Sequence, residues 1–91
     1  MLEFIKEKNG FKSYQAEDSI GREFKIYYGE KGAVAGDNNI NPKETIYLID
    51  GEVEIIINNK IETVKAPAEF QIPEKTHHKI TALTDIKFLV F

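Results

Sequence analysis

The most constraining feature of the sequence is the regular alternation of short apolar runs with turn-forming residues. Runs of about five to seven residues, rich in Ile, Val, Phe and Tyr, are separated by Gly, Asn, Asp and Pro. No window keeps an apolar period of about 3.6 residues, which a helix would need. The pattern predicts an all-β fold, a small antiparallel β-barrel or jelly roll.

Two dipeptides predict tight turns between neighbouring strands. Asp50-Gly51 lies between two apolar runs and predicts a type I′ hairpin turn, because that turn needs positive φ. Asn58-Asn59 predicts the next turn, since Asn tolerates the left-handed region. The predicted strands cover residues 22–28, 44–49, 52–58, 60–65, 68–72, 78–83 and 85–91.

Two segments are less clearly patterned. Residues 10–21 fit either one helical turn or another short strand. Residues 29–42 form the loop richest in Gly and Asn, and the segment 33–35 within it fits one short strand.

Length and composition fit one globular domain over residues 1–91, with 42% hydrophobic and 30% charged residues. The net charge of −3, with no basic stripe, argues against nucleic acid and anionic membranes as partners. The longest apolar run, Ile55–Ile57, is far too short to span a bilayer. Without cysteine, and with a charged segment at residues 1–7 that does not resemble a signal peptide, we expect a cytoplasmic protein.

Two stretches, residues 36–51 and 67–78, resemble the paired signature motifs of the cupin family. The matching residues are Glu44 and Gly51 in the first stretch, and Pro73 and His78 in the second. The resemblance extends over residues 24–91. It implies a small cupin-like double-stranded β-helix in which the two motifs lie on opposing strands and together form a metal site.

The sequence departs from the family pattern at several positions. The family places two His before the Glu of the first motif, and none is present here. In three alternative registers those positions hold Asp37 and Asn39, Asn38 and Ile40, or Asn39 and Asn41. In the second motif, Pro67 and Lys75 replace two Gly, and Ala82 replaces an Asn.

The resemblance implies a bound Fe, Mn, Ni or Zn ion held by His, His, Glu and His. In this chain Glu44 and His78 supply two of those four ligands, with Asp37, Asn39 or Asn41 as further candidates. A tight transition-metal site needs three or four strong donors at one point. We therefore expect weak or no metal binding. His77 is predicted to lie on the surface, because neighbouring strand residues point to opposite faces.

Strand alternation predicts which side chains face the barrel interior. The predicted pocket consists of Glu44, His78, Asn39, Asn41, Ile46, Leu48 and Ile80. The opposite face of the strand that carries Glu44 holds Thr45, Tyr47 and Ile49, which is also fairly apolar. An apolar outer face predicts cover by another sheet or by a second subunit, and hence a homodimer.

Three functions fit these residues. The first is binding of a small polar molecule in the barrel pocket, with weak or no metal. The second is the small metalloenzyme of the isomerase, epimerase or dioxygenase type that the resemblance implies, with Glu44 and His78 as ligands. The third is a structural or regulatory dimerisation module. No nucleophile motif or phosphate-binding loop is apparent, so whether the chain is an enzyme stays open.

Overall fold

The computed structural model describes residues 2–38 and 41–91. These residues form ten β-strands. In chain order they are β1 Leu2–Lys8, β2 Phe11–Glu17, β3 Glu23–Gly29, β4 Val34–Asn38, β5 Glu44–Asp50, β6 Glu52–Ile57, β7 Lys60–Lys65, β8 Ala68–Ile72, β9 His78–Ala82 and β10 Ile86–Val90. No described residue belongs to a helix that could cross a membrane.

The strands form two antiparallel sheets, as the all-β prediction requires. One sheet has six strands in the order β1-β2-β3-β10-β5-β8, and the other has four in the order β4-β9-β6-β7. The buried apolar cluster draws on both sheets, for example on Leu48 and Phe88 from the first and on Val53 and Ile80 from the second. The core therefore lies between the sheets, which is the arrangement of a jelly roll.

Alternation along each strand decides which side chains reach this core. In β10, Ile86, Phe88 and Val90 are buried, whereas the two residues between them are only partly covered. Phe88 stacks on Tyr27 with ring centroids 4.8 Å apart. The two-residue period predicted from the sequence thus sets an inner face and an outer face on the six-stranded sheet.

The predicted turn at Asn58-Asn59 is confirmed, but the predicted hairpin at Asp50-Gly51 is wrong. Both Asn residues have positive φ, 49° and 66°, and join the paired strands β6 and β7. By contrast, β5 pairs with β8 and β10, and β6 pairs with β7 and β9. At Gly51 the chain passes from one sheet to the other.

Gly51 is required at this crossing for reasons of space as well as conformation. Its φ is 91°, and a Cβ there would collide with the carbonyl oxygen of Asp85. The same Cβ would lie 2.6 Å from Cγ2 of Ile86. The Asp-Gly pattern correctly predicted a positive φ at Gly51. The turn there is not a hairpin, and the close approach of the β9–β10 connection explains why the position must be glycine.

The N-terminal part of the chain contains more strand than the sequence pattern predicted. Residues left open between a helical turn and a strand form β2, which pairs with β1. Asn9 and Gly10 close this hairpin with φ values of 53° and 84°. The short strand predicted at 33–35 is present as the longer β4.

Candidate functional site

A cavity of about 600 Å³ lies on the inner face of the six-stranded sheet, beside β4 and β9. Its apolar walls are formed by Ile46, Ile72, Ile80, Phe88 and Val90, among other side chains. This volume is in the range of pockets that hold small molecules. Of the predicted pocket residues, Glu44, His78, Asn41, Ile46 and Ile80 line it.

Glu44 is the first residue of β5 and is half-buried at the cavity. Burial raises the pKa of its carboxyl group, because a charged carboxylate loses hydration there. The charge of Lys25, and that of His78 when its ring is protonated, act in the opposite direction and lower that pKa. The carboxyl accepts no hydrogen bond from another described residue, so its oxygens can serve a ligand.

His78 is the first residue of β9 and is buried. Its Nδ1 lies 2.8 Å from the carbonyl oxygen of Thr76 and must therefore carry the hydrogen in the neutral ring. Nε2 then holds the lone pair of the neutral imidazole. The ring edge packs closely on Gly36, where a Cβ would lie 2.8 Å from Cδ2 and 3.0 Å from Nε2.

Asn41 borders the cavity, but its side chain joins two loops. Its amide nitrogen donates to the carbonyl oxygens of Pro42 and Pro73 at 3.0 and 2.8 Å. Its amide oxygen accepts from the backbone N–H of Thr76 at 3.1 Å. Because Thr76 in turn anchors the ring of His78, Asn41 helps to position that imidazole. The sequence suggested Asn41 as a ligand donor and contained no signal for this bridging role.

The other predicted site residues are placed as follows. Leu48 is buried in the core and does not border the cavity. His77 is exposed, as strand alternation predicts, and its carbonyl accepts from the N–H of Asn58. Asn39 lies outside the described residues, and so does the side chain of Asp37.

Several residues line the cavity that the sequence did not assign to a site, namely Lys6, Lys8 and Lys25. Alternation along β1 and β3 is the signal that could have found them, had β1 been predicted as a strand. Tyr27 also borders the cavity. Burial and the charge of Glu44 both raise the pKa of the Tyr27 hydroxyl.

The donor set of the described residues does not fit a tight transition-metal centre. Glu44 and His78 are two strong donors, and no group of three or more His, Cys, Asp or Glu occurs among the residues described. The amide of Asn41 already makes three hydrogen bonds within the protein. Two donors compete poorly with water for such an ion.

A second cavity, of about 700 Å³, lies around the β1–β2 turn. It is lined by residues of both charge signs, including Lys12, Glu30, Asp50 and Asp85. It includes none of the predicted pocket residues, and Asp85 within it is engaged with the N–H of Lys31 at 2.9 Å. The cavity with Glu44 and His78 is therefore the candidate site.

Comparison with solved structures finds the same architecture in other proteins. A cupin-2 domain protein from Rhodospirillum rubrum is similar with a TM-score of 0.80 and 14% identity, over 99% of this chain and 66% of that one. KdgF from Halomonas sp. is similar with a TM-score of 0.79 and 16% identity, over 97% of this chain and 82% of that one. Salicylate 1,2-dioxygenase from Pseudoaminobacter salicylatoxidans has a TM-score of 0.79 at 11% identity, over 91% of this chain.

The chain spans 66% of the Rhodospirillum rubrum protein and only 25% of the dioxygenase. No protein-family model matches the sequence. No curated protein matches it by sequence either. The paired sheets, their strand order and these structural similarities agree with the motif spacing, and the chain has the cupin fold.

Proposed function

We propose that the cavity of this cupin fold binds a small polar molecule, with Glu44 and His78 as its polar contacts and with weak or no metal. The observation that supports this function is the placement of the two side chains. They begin strands of different sheets, yet they border one cavity with aliphatic walls. Pockets of this kind bind through apolar area and take their specificity from a few polar groups.

The two side chains offer complementary hydrogen bonding to such a molecule. The Nε2 lone pair of neutral His78 can accept from a hydroxyl, because Nδ1 is held by Thr76. Glu44 accepts when charged and donates when protonated, and burial favours its protonated form. A ligand with a hydroxyl or carbonyl group is therefore suited to this end of the cavity.

Binding can be tested with a panel of small sugars and acids, followed by thermal shift and calorimetry. His78→Asn keeps an amide donor in the place of Nδ1 and removes the acceptor Nε2. His77→Asn is the matched control, since His77 is the exposed neighbour. We expect a ligand of the wild type to lose about tenfold or more in affinity for His78→Asn only. Equal affinities in both variants would exclude His78 as a ligand contact.

A metal-dependent activity is the second candidate, and one observation favours it. Metal-bound His commonly donates its other ring N–H to a backbone carbonyl, as His78 does to Thr76. One structurally similar protein is named as a dioxygenase. Elemental mass spectrometry of protein purified without a polyhistidine tag, beside His78→Ala, tests this alternative. Near-stoichiometric metal that is lost in the variant would favour the metalloenzyme over the metal-free pocket.

Self-association through the outer face of the six-stranded sheet is a further proposal. Tyr47, Ile49 and Phe91 lie on this face with 37%, 48% and 37% of their surface exposed. Large exposed apolar patches mark interaction sites in many proteins, and a homodimer would cover this one. Sedimentation equilibrium of the wild type and of Tyr47→Lys tests it. A monomeric wild type at micromolar concentration would exclude a stable homodimer.

A further inference from the structure

The described residues that line the cavity carry a net charge of opposite sign to that of the whole chain. The chain carries a net charge of −3. Lys6, Lys8 and Lys25 all border the cavity, whereas Glu44 is the one carboxylate among the described residues that line it. A local excess of positive charge in an acidic protein attracts anions to that place.

The fold places these lysines on one surface. Lys6 and Lys8 are two residues apart on β1, and so share the inner face of that strand. Lys25 lies on the inner face of β3, in register with Gln15 of β2. All three are exposed to water as well as to the cavity. They therefore form its mouth, while Glu44 and His78 lie on β5 and β9.

The three lysines that border the cavity differ in their ion pairing from Lys12, which lies on the outer face of the β1–β2 hairpin. Lys12, on the outer face of β2, forms an ion pair with Glu7 at 3.6 Å. Among the described residues, no carboxylate lies within 4.0 Å of the ammonium groups of Lys6, Lys8 or Lys25. Three like charges around one mouth repel one another, and a bound anion would turn that repulsion into attraction.

We propose that the ligand of the cavity is a small hydroxylated carboxylic acid, whose carboxylate is held by Lys6, Lys8 and Lys25. The carbon skeleton lies between the apolar walls, and a hydroxyl group reaches Glu44 and His78. This inference rests on the proposed binding function and names the ligand class. Each part of the acid then meets a group of matching chemistry.

A carboxylate suits this mouth better than a phosphate does. Phosphates are commonly bound by arginine forks, helix N-termini or nests of backbone N–H groups. Arg22 is the chain's one arginine, and its guanidinium lies 4.8 Å from the ring centroid of Phe91, outside the cavity lining. The described residues contain no helix. Ammonium groups attract either anion, but the apolar walls of the cavity favour an anion that carries a carbon skeleton.

The test compares acids with the alcohols in which the carboxylate is reduced to a hydroxymethyl group. Gluconate is paired with sorbitol, and mandelate with its diol, and inorganic phosphate is added as a third probe. Calorimetry is run on the wild type and on Lys6→Gln/Lys8→Gln/Lys25→Gln. The control triple variant is Lys31→Gln/Lys60→Gln/Lys65→Gln, which removes the same charge at residues that do not border the cavity.

We expect the wild type and the control variant to bind at least one acid about tenfold more tightly than its alcohol, and the cavity variant to lose this preference. Equal affinities for acid and alcohol, both lost in His78→Asn, would overturn the lysine inference and leave the binding function intact. Binding of phosphate without binding of either acid would overturn the carboxylic acid. If no probe of any kind bound, both proposals would fail.

Discussion

The inner and outer faces of β5, in the six-stranded sheet, both carry large apolar side chains but have different surroundings. Along β5, Ile46 and Leu48 point inward and are buried, whereas Tyr47 and Ile49 point outward and are exposed. An antiparallel sheet with one face in water usually alternates apolar and polar residues. Strand β5 instead carries large apolar side chains on both faces. Hydrophobicity alone therefore does not distinguish the core face of this strand from its exposed face.

Charged side chains also behave differently on the two faces. On the outer face, cations lie over aromatic rings: Arg22 over Phe91 at 4.8 Å and Lys87 over Tyr28 at 5.8 Å. On the inner face, Lys6, Lys8 and Lys25 surround an open cavity. Cation–π contact lets the outer cations cover apolar rings, and the inner cations remain available for a ligand. The outer face is thus suited to contact with another protein, and the inner face is suited to binding a small anion.

Truncation of neighbouring residues on β5 is the strongest test of this comparison. Leu48 is 1% exposed and Ile49 is 48% exposed. Leu48→Ala should lower the free energy of unfolding by about 2–5 kcal/mol, because it leaves a cavity in the packed core. Ile49→Ala should cost less than about 1 kcal/mol at concentrations where the chain is monomeric. Urea denaturation followed by circular dichroism measures both.

The outer truncation also tests self-association. In a homodimer that covers the outer face, the wild type gains stability with the logarithm of protein concentration, because dimer dissociation is coupled to unfolding. Ile49→Ala weakens the dimer, so its loss of stability relative to the wild type should be larger at high than at low protein concentration. Stability of Ile49→Ala equal to that of the wild type at every protein concentration would argue that this face has no partner copy. A loss as large as that of Leu48→Ala at low concentration would contradict the assignment of the two faces.

Much of the fold could be predicted from the sequence, because strand alternation and turn residues are local signals. The strands at 60–65 and 68–72 have the predicted bounds, and the Asn58-Asn59 turn is where its conformation predicted it. The crossing at Gly51 could not be distinguished from a hairpin, since both need positive φ. The difference depends on which strands pair, and pairing is set by distant residues. Asn9-Gly10 is an equally strong local signal, and it closes the β1–β2 hairpin.

The residues of the candidate site could be predicted from the sequence where they belong to a motif of recognisable spacing. Glu44 and His78 were identified through their motif, and the fold brings them to one cavity. The roles of Asn41 and of the three lysines were harder to predict, for different reasons. The bridging role of Asn41 depends on carbonyl oxygens at Pro42 and Pro73, which backbone geometry provides. The lysines belong to β1 and β3, and no local pattern shows that these strands border the cavity.

Substitution of Asn41 tests whether this polar side chain beside the cavity stabilises the fold or binds a ligand. Asn41→Ala removes three side-chain hydrogen bonds at a buried site and should lower the free energy of unfolding by about 2–3 kcal/mol. Asn41→Asp keeps the shape but faces two carbonyl oxygens without a donor, and should be at least as destabilising at neutral pH. Chemical denaturation measures both variants.

An Asn41→Ala protein of unchanged stability that no longer binds ligand would reverse this interpretation. It would make the amide a ligand contact, as the sequence pattern predicts. In the expected case, ligand affinity falls as well, because Thr76 and then His78 lose their support. Stability and affinity must therefore be measured on the same preparation. The loss of stability is the result that identifies Asn41 as a structural bridge.

The smallest expected effect concerns the carboxyl of Glu44 on the inner face, compared with that of the exposed Glu69 on the outer face. Burial raises the pKa of Glu44 above its ordinary value of 4.5. The folded protein then holds this proton to higher pH than the unfolded chain does. The contribution to stability is complete below pH 4.5 and is lost as pH rises through the folded pKa.

Glu44→Gln is neutral at every pH and does not lose this contribution. We therefore expect the variant to match the wild type at about pH 4 and to be more stable at about pH 7, by thermal denaturation. Glu69→Gln subtracts the general effect of removing one negative charge. A Glu44→Gln variant less stable than Glu69→Gln at neutral pH would mean that attraction from His78 and Lys25 outweighs burial. The inner carboxylate would then already be satisfied by its neighbours, and the cavity would be less dependent on a ligand to complete it.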